Sequence, residues 1–133
     1  MAPGAFAPSS IHKAIGGAES GNRDYTAGGA PMTSPKGARF AMQVMPSTAR
    51  DPGYGLRPAD PNNPADMNRL GREYADKMLS LFGGDHAKMA AAYNAGPGRV
   101  EQAVKRHGGN WFNALPSETR AYVPRVLRNL RSR

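Results

Sequence analysis

The chain has 133 residues, of which 39% are apolar or aromatic and 21% charged, a composition that suits one globular domain with a single modest core. It contains no cysteine, so disulfides, cysteine nucleophiles and thiolate metal sites are excluded. Eighteen basic against ten acidic residues give a net charge of +8, which makes a polyanion an expected neighbour, either nucleic acid or an anionic bacterial envelope.

No apolar run approaches the roughly 20 residues of a membrane-spanning helix. The first eight residues, Met1 to Pro8, lack a basic stretch followed by a long apolar one, so they carry no recognisable secretion signal. They are rich in Pro, Ala and Gly and are expected to form a flexible segment ahead of a domain spanning 9–133. Ser9 or Ser10 caps a first helix. That helix carries Ile11, Ala14, Ile15 and Ala18 inward and ends near Glu19. Gly16-Gly17 inside it costs about 1 kcal/mol per Gly relative to Ala. Residues 21–36 read as loop, punctuated by Gly21, Gly28, Gly29, Pro31 and Pro35. Residues 38–50 read as a buried turn and a short helix from Ser47, and 51–63 as loop again.

Helical signals then strengthen. Asn63 supplies an N-cap, Pro64 a first helical residue and Asp66 a favourable charge. Met67, Leu70, Tyr74, Met78 and Leu81 recur at spacings of three and four, the stripe of an amphipathic helix. Gly83-Gly84 ends it. Asp85 caps an Ala-rich helix through Tyr93 that stops at Ala95-Gly96. Residues 98–107 predict a further short helix, with Val100, Ala103 and Val104 inward. Ser117 caps the last, from Glu118 to near Leu130, with Pro124 expected to kink it or shift its start. Period-two alternation, internal repeats and a heptad seam are all missing, so the predicted fold is all-α with substantial loops.

Four segments concentrate the chemistry: Ala18-Glu19-Ser20-Gly21-Asn22, the run from Gly37 to Ala49 around Met42-Gln43-Val44-Met45-Pro46, Ala91-Ala92-Tyr93-Asn94-Ala95-Gly96-Pro97-Gly98, and Glu118-Thr119-Arg120-Ala121-Tyr122-Val123. Among the ten acids, Glu19 is best placed for acid–base work. It sits at a helix end, enters a Gly-containing loop and lies beside small residues. An apolar pocket there would favour the protonated carboxyl. Read singly, each residue has a plainer role. Glu19 alone is a solvated helix-terminal acid, Ser34 a turn residue before Pro35, and Tyr93 a half-buried helix aromatic. Met42 and Val44 read as core, and Glu118 as a charge at a helix N-terminus. Glu118 and Tyr122, four apart, share a helix face.

In this order, the segments resemble the catalytic domain of the soluble lytic transglycosylases, members of the goose-type lysozyme-like superfamily. The likeness covers residues 9–130. It implies a single-domain, largely helical fold with little or no sheet and a substrate cleft. It also implies cleavage of the MurNAc–GlcNAc β-1,4 bond of peptidoglycan to give 1,6-anhydro-MurNAc ends. By the same resemblance Glu19 is the single catalytic residue, acid first and base second. Ser34 would orient that Glu or the substrate's acetamido group. Gln43 would donate and accept near the sugar, and Met45 would line the groove. Tyr93 would reach Glu19 through its hydroxyl or pack against the sugar. Asn94 would bond the substrate or hold its loop. Tyr122 would lie in the cleft and Glu118 would help bind saccharide.

No cofactor is implied, and His12, His86 and His107 fit no metal motif; all three are expected at the surface or at helix ends. The expected partners are peptidoglycan glycan strands and, electrostatically, the anionic cell envelope. Arg125, Arg128, Arg131 and Arg133 are the candidate contact for the envelope, or simply a solvated helix face. The basic residues are scattered rather than interleaved with aromatics, so no nucleic acid partner is expected. The chain is expected to act as a monomer.

Departures from the family pattern carry expectations of their own. Phe40-Ala41 stands where the family has Gly-Leu, which puts a bulky aromatic near the cleft. The stretch from Glu19 to Ser34 is longer than in many members and places Asp24 and Tyr25 on an added loop. Asp24 is the candidate second carboxylate of an alternative reading, a hydrolytic goose-type lysozyme. A non-catalytic glycan binder is a further alternative. The Asp51-Pro52-Gly53-Tyr54-Gly55 loop, together with the missing signal, resembles phage virion or tail transglycosylase domains. A phage particle, a holin-type hole or a larger parent protein would then bring the domain to a wall in the periplasm or outside the cell.

Overall fold

A computed structural model describes residues 8–131. The expected flexible segment, apart from Pro8, and Arg133 of the basic C-terminus lie outside the described residues. Six α-helices follow in order: α1 Pro8–Ser20, α2 Pro46–Arg50, α3 Pro64–Leu81, α4 His86–Ala95, α5 Pro97–His107 and α6 Ser117–Arg131. A 3₁₀ segment, Gly108–Ala114, joins α5 to α6. Among the described residues there is no strand; the extended pairings are isolated bridges between Tyr25 and Pro31, Thr33 and Arg39, and Arg39 and Val44. The all-α expectation therefore holds. Among the same residues no helix is long and apolar enough to cross a membrane.

The core is organised around α4. Met89, Ala90, Ala91 and Ala92 are all buried, as a helix surrounded on every side requires, and α3, α5 and α6 each pack against it. The small alanines let these neighbours approach closely. The amphipathic α1 contributes Ile11, Ala14 and Ile15 to the same core and lies mainly on α6. Asn63 and Asp85 cap as their residue types predict, accepting from the Asp66 N–H and the Lys88 N–H, whereas Ser9 and Ser10 lie within α1, which begins at Pro8.

Four local expectations are corrected. Helix α2 starts at Pro46, with Met45 extended before it, because a proline without N–H fits the first helical position. Leu81 is 43% exposed; the helix ends there, and Leu79 and Phe82 pack on the core instead. Pro124 does not shift the start of α6, which begins at Ser117 and runs through it. Pro124, Arg120 and Ala121 are all exposed, so the carbonyl freed by the missing N–H faces solvent. Ser117 is already helical rather than a cap, since the Arg120 N–H bonds the Pro116 carbonyl at 3.0 Å. The 3₁₀ segment carries no sequence signal of its own; it is held by Trp111 and Phe112, edge to face at 5.8 Å, with Lys88 Nζ 5.7 Å from the Trp111 ring.

Candidate active site

Glu19 lies in the last turn of α1 and is half-buried. The helix stops just beyond it because Gly21 and Asn22 take left-handed backbone angles, φ +70° and +60°. Their N–H groups bond back to the Gly17 and Gly16 carbonyls at 3.1 Å. Ser20, which is buried, fixes this end to the rest of the molecule. Its hydroxyl donates to the Ala41 carbonyl at 2.8 Å and accepts from the Arg23 N–H at 3.1 Å.

The partner of this helix end is the turn Arg39–Val44. Arg39 and Val44 exchange backbone bonds of 2.9 and 3.2 Å, and Phe40 and Gln43 stand at φ +65° and +51°. Each N–H inside the turn has a dedicated acceptor. Ala41 N–H bonds Asp24 Oδ1 at 3.0 Å, Met42 N–H bonds Asn68 Oδ1 at 3.1 Å, and Gln43 N–H bonds the Phe40 carbonyl at 3.1 Å. The Met42 carbonyl accepts from the Tyr93 hydroxyl at 2.6 Å. The Gln43 side chain supports the same turn, donating to the Phe40 and Met32 carbonyls at 2.8 and 3.3 Å. Two carbonyl partners identify the amide nitrogen and leave Oε1 as the end available to a ligand.

Tyr93, Asn94 and Gly96 come from the end of α4, where Gly96 adopts φ +97°, an angle that favours glycine. Asn94 is held from α6, its Oδ1 accepting from Thr119 Oγ1 at 2.8 Å, so its two amide hydrogens remain for another partner. Gln43, Met45, Thr48, Tyr74, Tyr93 and Asn94 line a cavity of about 280 Å³.

Burial and three side chains of α6 set the protonation of Glu19. Burial is the main influence and raises its pKa; the Tyr122 hydroxyl opposes this, Glu118 adds to it and Arg125 opposes it, leaving the carboxyl at about 7. Tyr122 is 1% exposed. No acceptor meets its hydroxyl in ideal hydrogen-bond geometry, yet that hydroxyl is near enough to the carboxyl to favour the ionised form. Burial, and next the charge of Glu19, hold both Tyr93 and Tyr122 well above the ordinary phenol range, so both remain donors at neutral pH. Arg125 stacks on the Tyr122 ring, Cζ 6.0 Å from its centroid. The arrangement can keep one carboxyl half protonated at neutral pH; Glu19 does not itself line the cavity and is linked to it through Tyr93.

The structure thus brings Glu19, Tyr93, Tyr122 and Glu118 together, with Gln43, Met45 and Asn94 along the adjoining cavity. The Tyr93 hydroxyl donates to the Met42 carbonyl rather than to Glu19 while its ring lines the cavity, and it is the Tyr122 hydroxyl that lies near the Glu19 carboxyl. Ser34 serves its own turn: Oγ accepts from the Ala38 N–H at 3.0 Å, which leaves its proton available. Phe40 is not in the cleft. It is 2% exposed, stands at φ +65° and packs edge to face on Tyr25 at 6.1 Å. Arg125, Thr119 and Asn68 were missed. Arg125 carried a legible signal, since it lies three residues after Tyr122 and seven after Glu118, on one helix face.

Asp24 is a structural pin. Its Oδ1 accepts from the Ala41 N–H and, at 2.7 Å, from Asn68 Nδ2. Asp24→Asn, which keeps an acceptor in place, is expected to retain glycan cleavage. Asp24→Ala strands two partly buried donors and is expected to cost about 1–3 kcal/mol in urea unfolding. Loss of activity in a stably folded Asp24→Asn protein would make it a second catalytic carboxylate.

The transglycosylase SLT domain profile matches residues 7–115. The chain belongs to the transglycosylase SLT domain family. The soluble lytic murein transglycosylase of Escherichia coli (strain K12) is 35% identical over 118 residues, covering 79% of this chain and 18% of that protein. This SLT domain therefore spans about a fifth of the length of that curated relative. The crystal structure of the 70 kDa soluble lytic transglycosylase from Escherichia coli superposes with a TM-score of 0.74 at 32% identity, covering 96% of this chain and 22% of the other. The lytic transglycosylase Slt from Pseudomonas aeruginosa, solved as an inactive Glu-to-Gln mutant, superposes with a TM-score of 0.73 at 33% identity, covering 92% and 20%. The family match ends at Leu115, ahead of α6, yet the SLT domain fold extends through that helix, and α6 supplies the groups that act on Glu19.

Tyr122→Phe is expected to raise the Glu19 pKa, because the hydroxyl that favours the carboxylate is lost. Glu118→Gln is expected to lower it, because a like charge is removed. The alkaline limb of the pH–activity profile should move up in the first variant and down in the second. Equal profiles would remove both side chains from the electrostatics of Glu19.

Proposed function

We propose that the chain is the catalytic domain of a peptidoglycan lytic transglycosylase in which Glu19 is both acid and base. The observation that carries this reading is a half-buried carboxyl poised at about 7 near the buried phenol of Tyr122 and the half-buried Tyr93, which lines an open cavity. Such a group can give a proton and take one back at neutral pH. The names of the relatives, and an inactive Glu-to-Gln mutant among them, support it.

In the proposed reaction Glu19 protonates the departing GlcNAc O4 as the C1–O4 bond of MurNAc breaks. The C6 hydroxyl of the same MurNAc attacks C1, the C1–O6 bond forms, and the hydroxyl proton returns to Glu19. No water is consumed and no second carboxylate is needed. Tyr122 and Arg125 stabilise the Glu19 carboxylate that exists between the two transfers. Asn94 offers amide hydrogens to the sugar, Gln43 offers Oε1, Ser34 its proton to the acetamido group, and Met45 an apolar wall. Glu118, exposed at the start of α6, binds saccharide at the rim. The substrate lies in the bacterial wall, in the periplasm or outside the cell. The likeness of the loop 51–55 to virion domains supports a phage particle as carrier.

The test is incubation of purified peptidoglycan with the wild type and Glu19→Gln, followed by borohydride treatment of the soluble glycan. Anhydro ends carry no free aldehyde, so wild-type products should take up no hydride and the variant should release nothing. Products that are reduced would mean hydrolysis, and release by the variant would remove Glu19 from the acid role.

A further inference from the structure

A row of three tyrosines leads away from Glu19. Tyr93, whose phenol feels the Glu19 charge, meets Tyr74 edge to face at 6.0 Å, and Tyr74 meets Tyr54 in the same manner at 6.1 Å. Tyr93 and Tyr74 line the cavity. Tyr54 stands at the outer end, in the loop before α3, and is 44% exposed.

The backbone under Tyr54 is unusual. Gly53, Tyr54 and Gly55 all take left-handed angles, φ +70°, +57° and +73°, and the Leu56 N–H closes the turn on the Gly53 carbonyl at 2.9 Å. A bulky residue disfavours this region. Nothing stands within 4 Å of a Cβ placed at Gly53 or Gly55, so these glycines serve the backbone angle rather than crowding. Phe40 carries a similar angle but is 2% exposed, and burial of its ring compensates. Tyr54 has much less burial to offset its strain. Strain without a stabilising return is a mark of function.

We propose that Tyr54 is a specificity-determining residue, a platform on which a further sugar ring of the glycan strand stacks outside the cleaved pair. This rests on the proposed function. A pyranose presents an apolar C–H face and a polar rim, and an exposed phenol ring offers an apolar face with a hydroxyl at its edge. The occupant is the glycan because the tyrosine row is continuous with the cavity beside Glu19. Tyr74, set nearly perpendicular to Tyr54 at 82°, supports the ring by an edge-to-face contact.

The test compares wild type with Tyr54→Ala and Tyr54→Phe on peptide-free glycan strands sorted by length, and measures thermal unfolding of Tyr54→Gly. Tyr54→Ala should lose roughly fivefold in kcat/KM on long strands, the effect of uncovering part of one ring, and less on tetrasaccharides. Tyr54→Phe should stay near wild type. Tyr54→Gly, which relieves the backbone, should unfold no earlier than wild type. An Ala variant that matches wild type at all lengths, an equal loss at every length, or a Phe variant as poor as Ala would overturn the platform while leaving Glu19 catalysis standing. No cleavage by the wild type would overturn the underlying function, and this proposal with it.

Discussion

Glu19→Gln is expected to lower glycan cleavage by at least about 10³-fold, because in the proposed reaction one group performs both proton transfers, and yet to make the protein harder to unfold at alkaline pH. The sign follows from proton linkage. The folded-state pKa is about 7 against an ordinary 4.5, so between those values the folded protein binds more protons than the unfolded chain. Stability therefore falls as pH rises from about 4.5 to about 7 and is level above. The ionised carboxyl costs the folded state on the order of 2–3 kcal/mol at pH 8, allowing for the part of Glu19 that solvent reaches. A neutral glutamine lacks that cost. Wild-type kcat/KM should be level below pH 7 and fall about tenfold per pH unit above it, as the acid form disappears. Urea unfolding of both proteins at pH 5 and pH 8 checks the stability half. A Glu19→Gln protein no more stable than wild type at pH 8 would mean that Glu19 titrates as an ordinary acid.

Gly71→Ala is the second large effect, and its direction opposes helix propensity. In the middle of α3 alanine should gain about 1 kcal/mol over glycine. At Gly71 a Cβ would stand 2.5 Å from the Met42 Cβ and 3.0 Å from the Tyr93 hydroxyl. Neither neighbour can withdraw: Met42 sits in a turn whose N–H groups are all engaged, and Tyr93 is bonded to the Met42 carbonyl. Overpacking and the broken hydrogen bond together should outweigh the helix gain. A net loss of about 2 kcal/mol or more is expected, with a melting temperature lower by roughly 6–10 °C. Cleavage should fall as well, because Tyr93 lines the cavity and Met42 adjoins Gln43, which also lines it. Gly98→Ala, where nothing stands within 4 Å, should leave the melting temperature level or raise it. If both substitutions behave alike, close approach of α3 to the Met42 turn is not what Gly71 provides.

The contrast between these glycines shows what was legible in the sequence. Helices α3 and α4 could be read from local signals, since an apolar stripe and a capping Asn63 or Asp85 act within a turn or two of chain. The all-α class and the segments that carry the site followed from the same reading and from the ordered motifs. The contacts that tune the site were hidden because they join distant parts of the chain. Tyr93 meets Met42 across 51 residues, Asn68 meets Asp24 across 44, and Thr119 meets Asn94 across 25. Asp24 illustrates the difficulty: a carboxylate on a loop near the proposed acid invites a chemical role, and only the position of Ala41 and Asn68 reveals the structural one. Phe40 misled in the opposite way. Its bulk suggested a cleft residue, whereas its backbone angle is what the position requires and its ring completes the core.

The central claim is that Glu19 recovers its proton from the sugar's own C6 hydroxyl rather than from water. Mass spectrometry of the muropeptides released from purified peptidoglycan tests this most directly. Products one water lighter than the corresponding hydrolysis products, absent with Glu19→Gln, are the predicted result. Muropeptides carrying the mass of the added water would contradict it.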